Sequence, residues 1–291
     1  MAKKHQPRTG GENRKHKHAF SSKGASRGGR GPASPAGSAK RSRPESSITP
    51  NRRHGFAGGE RPYDYAFYES EPATPEYMAR LFAKHDFPVD DRQLSRFWKY
   101  YELLREHNAS LDLTRIMGIE ATVLKHFIDS AIILRWFKPT GPVLDIGSGP
   151  GFPGAPIAVM RPDLQVILAE SRGKRVGFLE KVIETLGLKN VEIFPRSVRE
   201  DSPLGEDYGK PVGDVVTRAL EAIPPTLERI LPIVRAGGQI AFLKGPDCED
   251  EIQQSLSLFK NAYSLERDVL YTLPGSEHPR RLVLFRRISH F

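Results

Sequence analysis

A short apolar run followed by three closely spaced glycines constrains the fold of this 291-residue chain more than any other feature. Residues 143–154 read Val-Leu-Asp-Ile-Gly-Ser-Gly-Pro-Gly-Phe-Pro-Gly. Such a run indicates a buried strand that leads into a glycine loop and then into the N-terminus of a helix. Because glycine lacks a Cβ atom, the loop can turn tightly and a ligand can approach its backbone. The pattern therefore predicts a ligand site at the carboxyl end of this strand.

Strands and helices alternate from this segment onward. Buried strands are predicted at 142–146, 164–169, 190–194, 214–217 and 239–243, and helices at 174–186, 226–234 and about 251–259. Such alternation is typical of a mostly parallel, doubly wound sheet. Two further strands, near 265–271 and 281–287, flank a Pro-Gly turn and predict an antiparallel edge. The sequence therefore predicts an α/β fold with a seven-stranded, mostly parallel sheet.

A helical region is predicted before the sheet, over residues 74–137. Thr74 followed by Pro75 is typical of a helix start. Further along, large apolar residues recur at helical spacing: Leu94, Phe97, Trp98, Tyr101 and Leu104. We interpret these aromatic residues as core and assign none of them to a cofactor.

The first 60 residues differ sharply in composition from the rest. They hold 14 Lys and Arg against 3 Asp and Glu, whereas the remaining 231 residues hold 30 and 32. Glycine, serine and proline are frequent there and large apolar residues are scarce, which indicates disorder. We expect a disordered basic arm at 1–62 that contacts nucleic acid, a helical region at 63–138 and a ligand-binding core at 139–291.

Composition also excludes several classes of protein. The single cysteine, Cys248, rules out a disulfide framework and a cysteine-rich zinc site. No uncharged apolar run approaches the roughly 20 residues of a membrane span, and the N-terminus lacks the apolar core of a secretory signal. We therefore expect a soluble cytoplasmic protein that needs neither membrane nor metal.

Two features favour S-adenosylmethionine over a dinucleotide as the ligand. Phe152 stands where a dinucleotide-binding loop needs a small residue, and Asp145 lies within the motif, where it can orient the loop or reach the amino-acid part of the ligand. Glu170 ends the second predicted strand, where a carboxylate can accept ribose hydroxyls. Since nucleotide cofactors of both kinds contain ribose, Glu170 supports a ribosyl ligand without choosing between them.

An ordered set of motifs resembles the RsmG or GidB family of ribosomal RNA guanine-N7 methyltransferases. The glycine loop is followed by Glu-Ser-x-x-Lys at 170–174 and preceded by His-Phe-Ile-Asp-Ser at 126–130. Downstream, Val-Thr-Arg-Ala at 216–219, Ala-Phe-Leu-Lys-Gly at 241–245 and Arg-Arg-Leu-Val-Leu at 280–284 resemble later motifs of the family. The resemblance covers roughly residues 75–287.

The resemblance implies a class I, Rossmann-like methyltransferase that uses S-adenosylmethionine to methylate N7 of one guanine in 16S rRNA. The expected cofactor residues are Asp145, Gly147, Gly149, Gly151, Phe152, Glu170, Ser197, Val198 and Arg218. The family's Arg-Ala-Glu stretch near the adenine reads Arg196-Ser197-Val198 here, so its acid is missing, although Glu200 follows two residues later.

Methylation at guanine N7 needs no general base, because N7 has a free lone pair and no proton. We therefore expect Arg218 to act by positioning, and we favour a structural or substrate-lining role for His126 and Asp129, which otherwise resemble an acid/base pair. The cations expected to contact RNA are Lys174, Arg175, Lys244, Arg280 and Arg281. The expected partner is 16S rRNA or the small ribosomal subunit, bound by a monomer.

Two alternatives stay open at this point. One is methylation of another RNA position or of a protein, although the Asn/Asp-Pro-Pro-aromatic motif of amino-group methyltransferases is absent after the fourth strand. The other is a non-enzymatic RNA-binding protein, which the intact glycine loop and Glu170 argue against. A NAD-dependent dehydrogenase is a more distant possibility.

Overall fold

The computed structural model describes residues 71–199 and 212–288. All of these residues belong to one compact unit, which spans Pro62–Phe291. The predicted basic arm at 1–62 and the acidic residue Glu200 lie outside the described residues.

Two helices with well-defined starts open the described part of the chain. Helix α1 spans Pro75–Lys84, and the Thr74 side chain accepts a hydrogen bond from the Tyr77 amide, 3.1 Å away. Helix α2 spans Asp91–Leu111 and begins at a reciprocal capping box between Asp90 and Gln93. These caps satisfy amide groups that the first turn of a helix leaves unpaired.

The third helical segment changes its winding along its length. It consists of α3 (Ile119–Thr122), a π-helical turn (Val123–Ile128), α4 (Asp129–Ala131) and a 3₁₀ turn (Ile132–Arg135). A π-helical turn holds more residues than an α-helical turn and is frequent at functional sites. Side chains three residues apart are consequently rotated further from each other around the helix axis than in an ordinary α-helix.

Seven strands form one sheet in the order β3-β2-β1-β4-β5-β7-β6. Strands β1 (Val143–Ile146), β2 (Val166–Ala169), β3 (Val191–Phe194), β4 (Asp214–Arg218) and β5 (Gln239–Lys244) are parallel. Strands β6 (Tyr263–Thr272) and β7 (Pro279–Arg287) form the predicted antiparallel edge, with β7 inserted between β5 and β6. The predicted mostly parallel seven-stranded sheet is confirmed.

Helices cover both faces of the sheet. They are α5 (Gly154–Met160), α6 (Gly173–Leu186), α7 (Ile223–Ile230) and α8 (Glu249–Leu258). Helix α7 begins three residues before the predicted start at 226, because Pro224 lies in the first turn, where no amide hydrogen bond is needed. Within 71–199 and 212–288, the helices lack the combination of length and apolar character that crossing a bilayer requires.

Alternate strand residues face two separate hydrophobic clusters. Val143 packs with the helical region, α5 and α6 on one face, whereas Leu144 packs with α7 and α8 on the other. Both residues are fully buried, which explains why β1 reads as a continuous apolar run rather than as an alternating pattern. Because β1, β2, β4 and β5 run parallel, their carboxyl ends share one edge of the sheet, beside the helical region.

Candidate functional site

The glycine loop, residues 147–151, joins the carboxyl end of β1 to the segment that starts α5. Gly151 has a φ of 105°, in the region that favours glycine. A Cβ atom at this position would collide with the hydroxyl group of Tyr100, which donates a hydrogen bond to a backbone carbonyl of the loop. The helical region therefore packs so closely against the loop that only glycine fits at position 151.

Asp145 holds this loop from inside the protein. Its side chain is fully buried, and Oδ2 accepts a hydrogen bond from the amide of Gly154, 2.9 Å away, at the start of α5. Burial raises the pKa of Asp145 to about 7. Of the two roles expected for this residue, the geometry supports orientation of the loop, since the hydrogen-bonded oxygen faces α5.

Glu170 lies just beyond the end of β2, against the outer side of the glycine loop. One carboxylate oxygen accepts from the amide of Gly149 at 3.0 Å and the other from the amide of Arg172 at 2.8 Å. Arg175 approaches the same carboxylate at 3.8 Å, so this predicted RNA contact lies beside the loop. Each oxygen of Glu170 retains a lone pair that could accept a further hydrogen bond.

The loop residues fit an S-adenosylmethionine ligand. A Cβ atom built at Gly149 would have only ordinary contacts, to the Arg175 guanidinium at 3.7 Å and a backbone oxygen at 3.9 Å, so this face of the loop is open. At the neighbouring strand end, beyond β3, Ser197 is exposed and Val198 is buried in the core. The open face at Gly149 and the neighbouring carboxylate that ends β2 provide the space and the acceptor oxygens that a ribosyl amino acid requires.

Phe152, immediately after the glycine loop, packs into a stack of side chains. Its ring lies 4.3 Å from the imidazole of His126 and 5.3 Å from the ring of Tyr100, and the Arg218 guanidinium lies 5.3 Å from its centroid. The side chain is buried. Phe152 thus joins the loop to the helical region and to the end of β4, a role beyond its predicted membership of the cofactor loop.

Arg218, the last residue of β4, connects the sheet to the helical region. Its Nη1 atom donates to the carbonyl of Lys125 at 3.2 Å and to the carboxylate of Asp129 at 3.3 Å. With its guanidinium also against Phe152, the side chain is held from several directions. This restriction agrees with the positioning role expected for Arg218.

The turn that follows β4 folds over the glycine loop. Ala219 has a φ of 53°, which is unusual for a residue that carries a Cβ atom. The next residue, Leu220, is half-exposed, and its Cδ1 atom would lie 2.7 Å from a Cβ atom at Gly147. The turn therefore places an apolar side chain at the start of the loop, a feature that sequence reasoning missed.

A cavity of about 290 Å³ lies between the helical region and the ends of β4, β5 and β7. We call it the cationic cavity, because four of its lining residues are basic: Lys125, Arg218, Lys244 and Arg280. Asp129 and His126 also line it. The cavity begins where Arg218 contacts Phe152, so it lies next to the glycine loop.

The structure separates the five cations that were expected to contact RNA. Lys244 and Arg280 line the cationic cavity, and Lys244 pairs with Glu251 at 2.8 Å. Lys174 is exposed near the start of α6, where Arg175 lies partly buried beside Glu170. Four of the five thus stand near the edge of the sheet that holds the loop.

Arg281 is placed differently from the other four. It is 9% exposed, and its guanidinium pairs with Glu249 at 2.5 Å and with Asp268 at 2.6 Å. It also donates to the carbonyl of Pro246 at 3.1 Å. We therefore propose a structural role for Arg281 in place of the expected RNA contact, because its guanidinium, paired with two carboxylates, ties α8 to the final hairpin.

His126 and Asp129 do not form an acid/base pair. His126 Nε2 lies 2.8 Å from the hydroxyl of Thr114, whereas Asp129 faces Arg218. Burial, reinforced by the nearby Arg218, holds the pKa of His126 well below its usual value, so the ring is neutral at pH 7. The π-helical turn explains the separation, because it rotates the two side chains apart.

Tyr271 is a second feature of this site that sequence reasoning missed. It lies in β6, and its hydroxyl donates to the carboxylate of Asp129 at 3.3 Å. The sequence places Tyr271 near the end of a predicted strand but gives no sign that this strand reaches the helical region. Only the insertion of β7 between β5 and β6 brings it there.

Comparison with known proteins identifies the family. The family model described as GidB, rRNA small subunit methyltransferase G, matches residues 93–282. A ribosomal RNA small subunit methyltransferase G 2 of Syntrophobacter fumaroxidans is 39% identical over 215 residues, which cover 74% of this chain and 42% of that protein. This chain thus spans less than half the length of that relative.

Two other relatives align over most of their length. A ribosomal RNA small subunit methyltransferase G 2 of Bdellovibrio bacteriovorus is 36% identical, with 73% of this chain and 82% of the relative covered. A ribosomal RNA small subunit methyltransferase G of Lactobacillus delbrueckii subsp. bulgaricus is 34% identical, and the alignment covers 74% of this chain and 92% of that relative. The chain therefore belongs to the GidB family and has the class I fold of S-adenosylmethionine-dependent methyltransferases.

Proposed function

We propose that this protein transfers the methyl group of S-adenosylmethionine to N7 of a guanine in the 16S rRNA of the small ribosomal subunit. The observation that supports this most directly is the position of Arg218. Its guanidinium lies against Phe152, at the end of the glycine loop, and also lines the cationic cavity. A methyl donor at the loop and an RNA strand at the cavity would therefore meet beside one side chain.

The cofactor would bind along the glycine loop. The backbone of Gly147, Gly149 and Gly151 would contact it, with Glu170 at the ribose and the Ser197–Val198 backbone near the adenine. The bound cofactor supplies an electrophilic methyl group on a sulfonium. Asp145 contributes indirectly, since its hydrogen bond to Gly154 fixes the start of α5 relative to β1.

The transfer needs no proton movement. The lone pair of N7 forms the new bond to the methyl carbon while the bond from that carbon to sulfur breaks, which leaves a neutral thioether and a cationic guanine. The protein must therefore hold the two groups in line at short distance rather than supply a base. A neutral, hydrogen-bonded His126 is consistent with this chemistry, because the site requires no acceptor for a proton.

The charges of the site indicate which part of the RNA enters the cavity. Methylated guanine carries a positive charge, and four basic side chains around the base would oppose its formation. Phosphate groups, in contrast, are stabilised by such side chains. We therefore place an RNA phosphate at Lys125, Lys244 and Arg280, and the target base outside the cavity, closer to the glycine loop.

The oligomeric state and the cellular location complete the proposal. We propose that the protein acts as a monomer. We further propose that it works in the cytoplasm, where the ribosomal substrate is found. The basic arm at 1–62 would add a salt-sensitive contact to the RNA outside the catalytic core.

The test is methyl transfer to a defined substrate. The protein is incubated with S-adenosylmethionine labelled in the methyl group and with 16S rRNA or small subunits from a strain that lacks the gene. We expect label at N7 of a single guanine. Label at another atom of the RNA, or in a protein, would support the alternative of a methyltransferase with a different target. Cofactor binding without methyl transfer would support the alternative of a non-enzymatic RNA-binding protein.

A matched pair of variants connects the activity to the site. Gly149→Asp places a carboxylate on the open face of the loop and should abolish cofactor binding and transfer. Gly177→Ala alters a glycine of α6 whose added Cβ atom meets nothing within 4 Å and should retain both. Unchanged cofactor affinity in Gly149→Asp would show that the site lies elsewhere.

A further inference from the structure

Asp129 is the point where three separate parts of the chain meet. The residue lies in α4 and is 4% exposed. Its Oδ2 atom accepts from Arg218 of β4 at 3.3 Å, and its Oδ1 atom accepts from the hydroxyl of Tyr271 of β6 at 3.3 Å. The Nε atom of Arg280, in β7, lies 3.7 Å from Oδ1. One buried carboxylate thus faces two of the four cations of the cavity.

These contacts restrict the orientation of Arg218. Its Nη1 atom is shared between Asp129 and the Lys125 carbonyl, and its guanidinium lies against Phe152. If the carboxylate lost its charge, Arg218 would keep the weaker contacts and could rotate into the cavity. The direction of Arg218 relative to the glycine loop therefore depends on Asp129.

Tyr271 keeps the carboxylate in place. Burial, together with the charge of Asp129, raises the pKa of the Tyr271 hydroxyl well above its usual value. The hydroxyl is consequently protonated at neutral pH and remains a hydrogen-bond donor. The ring also lies 5.6 Å from that of Trp136, which fixes it against the end of the helical region.

We propose that Asp129 is a positioning residue for methyl transfer, which holds Arg218 and Arg280 in the orientation that aligns the RNA with the glycine loop, with Tyr271 as its support. This inference rests on the proposed function. It assigns Asp129 no contact with RNA, because a carboxylate would repel phosphate. Asp129 acts on the reaction only through the two arginines.

The directions in which RNA affinity and kcat change in a variant of Asp129 distinguish this role from a contact with RNA. Replacement of Asp129 by Asn removes a negative charge from a cationic cavity, so RNA affinity should stay the same or increase. The value of kcat should fall by ~10- to 100-fold, because the substrate is bound but misaligned. Cofactor affinity, measured by calorimetry, should change much less than kcat. A loss of RNA affinity with unchanged kcat would overturn the proposal.

A double-mutant cycle tests whether the effect passes through Arg218. In an Arg218→Gln background, the further change Asp129→Asn should lower kcat much less than it does in the wild-type protein. If Asp129→Asn lowers kcat by the same factor in the Arg218→Gln background as in the wild-type protein, then Asp129 does not act through Arg218.

The tyrosine supplies a milder variant, in case Asp129→Asn fails to fold. Tyr271→Phe should lower kcat with no loss of RNA affinity. Tyr263→Phe is its matched control, because Tyr263 is a buried residue of the same strand whose hydroxyl donates to the carbonyl of Leu227, at 3.0 Å. The control should lose stability but keep kcat. Equal kcat in the two variants would remove Tyr271 from the proposal.

An NMR measurement makes the test independent of activity. The guanidinium resonances of Arg218, assigned by their loss in Arg218→Gln, should be protected from solvent exchange in the wild-type protein and unprotected in Asp129→Asn. Unchanged protection would overturn the inference even if the enzyme is active. If the wild-type protein transfers no methyl group yet this protection is lost as expected, the proposed function fails while the anchoring of Arg218 stands.

Discussion

The ring of Phe152 lies parallel to the imidazole of His126, with 4.3 Å between centroids and 7° between ring planes. Phe152 follows the glycine loop directly, whereas His126 belongs to the π-helical turn of the helical region. The stack is therefore a direct mechanical connection between the predicted cofactor loop and the helices that line the cationic cavity. Its loss should affect both the stability of the fold and the geometry of the loop.

Phe152→Ala should lower the free energy of unfolding by about 3–5 kcal/mol, as expected for a large buried aromatic residue. It should also weaken cofactor binding, because the loop loses its contact with the helical region. Phe285→Ala is the matched control, since Phe285 is buried in β7 and packs in the other hydrophobic cluster. Chemical denaturation and calorimetry measure the two effects. Equal loss of cofactor affinity in both variants would contradict the prediction.

Gly151→Ala should abolish cofactor binding, because its Cβ atom would meet the hydroxyl of Tyr100 and a positive φ disfavours alanine. In a Tyr100→Phe background the collision is relieved, so part of the affinity should return. Gly177→Ala, in contrast, should raise the free energy of unfolding by about 0.5–1 kcal/mol through helix propensity. Calorimetric titration of each variant decides the matter, and a Gly151→Ala variant with wild-type affinity would refute the packing argument.

Asp145 should make the stability of the protein depend on pH. Its pKa is raised to about 7 by burial, from an ordinary value of 3.8, so the folded state keeps a proton that the unfolded state loses. The stabilisation that this bound proton gives the folded state is complete below about pH 4, and it is lost as the pH rises to about 7.

Asp145→Asn cannot ionise and should lack this dependence. Urea denaturation at pH 5 and pH 8 should show the wild-type protein losing on the order of 2 kcal/mol relative to the variant. Parallel pH dependence in the two proteins would mean that the carboxylate titrates normally.

Arg280 and Arg281 are adjacent in sequence but should behave oppositely. Arg280→Gln removes a cation from the cavity and should weaken RNA binding, with a salt dependence reduced by about one phosphate contact. Arg281→Gln removes the guanidinium that joins Glu249 of α8 to Asp268 of β6 and should instead lower the free energy of unfolding, with RNA affinity unchanged. Filter binding at several salt concentrations and thermal denaturation separate the two outcomes. If RNA binding by the Arg281→Gln variant depended less on salt than that of the wild-type protein, Arg281 would be an RNA contact after all.

Deletion of residues 1–60 should weaken RNA binding most strongly at low salt, because it removes 14 basic and 3 acidic residues. The proposed cofactor residues all lie beyond residue 140, so affinity for S-adenosylmethionine should be unaffected. Loss of cofactor binding on deletion would contradict this division between arm and core.

The sheet and the loop could be predicted because their signals are local. An apolar strand, three glycines and an acid at the next strand end stand close together in sequence and require no knowledge of distant contacts. The cationic cavity was only partly predictable, since Arg218, Lys244 and Arg280 follow from strand ends but Lys125 does not. The contact of Tyr271 with Asp129, which lines the cavity, was not predictable either. Their proximity depends on the packing of the helical region and on the position of β7 within the sheet.

Arg281 illustrates the opposite difficulty. Its sequence context, at the start of a strand and beside another arginine, is the same as that of Arg280. Alternate residues of a strand point to opposite faces, and the face of Arg281 holds Glu249 and Asp268. No local pattern reveals carboxylates that come from α8 and β6.

The place of β7 in the sheet also determines when the protein can become active during its own synthesis. Strand β7 fills the gap between β5 and β6, so neither the attachment of β6 to the sheet nor the contact of Arg280 with Asp129 can exist until residues 279–287 have left the ribosome. A chain interrupted before residue 279 would carry the whole glycine loop yet lack one wall of the cavity. The cavity is therefore complete only after the final hairpin has been synthesised, and chains interrupted before that point should lack the proposed activity.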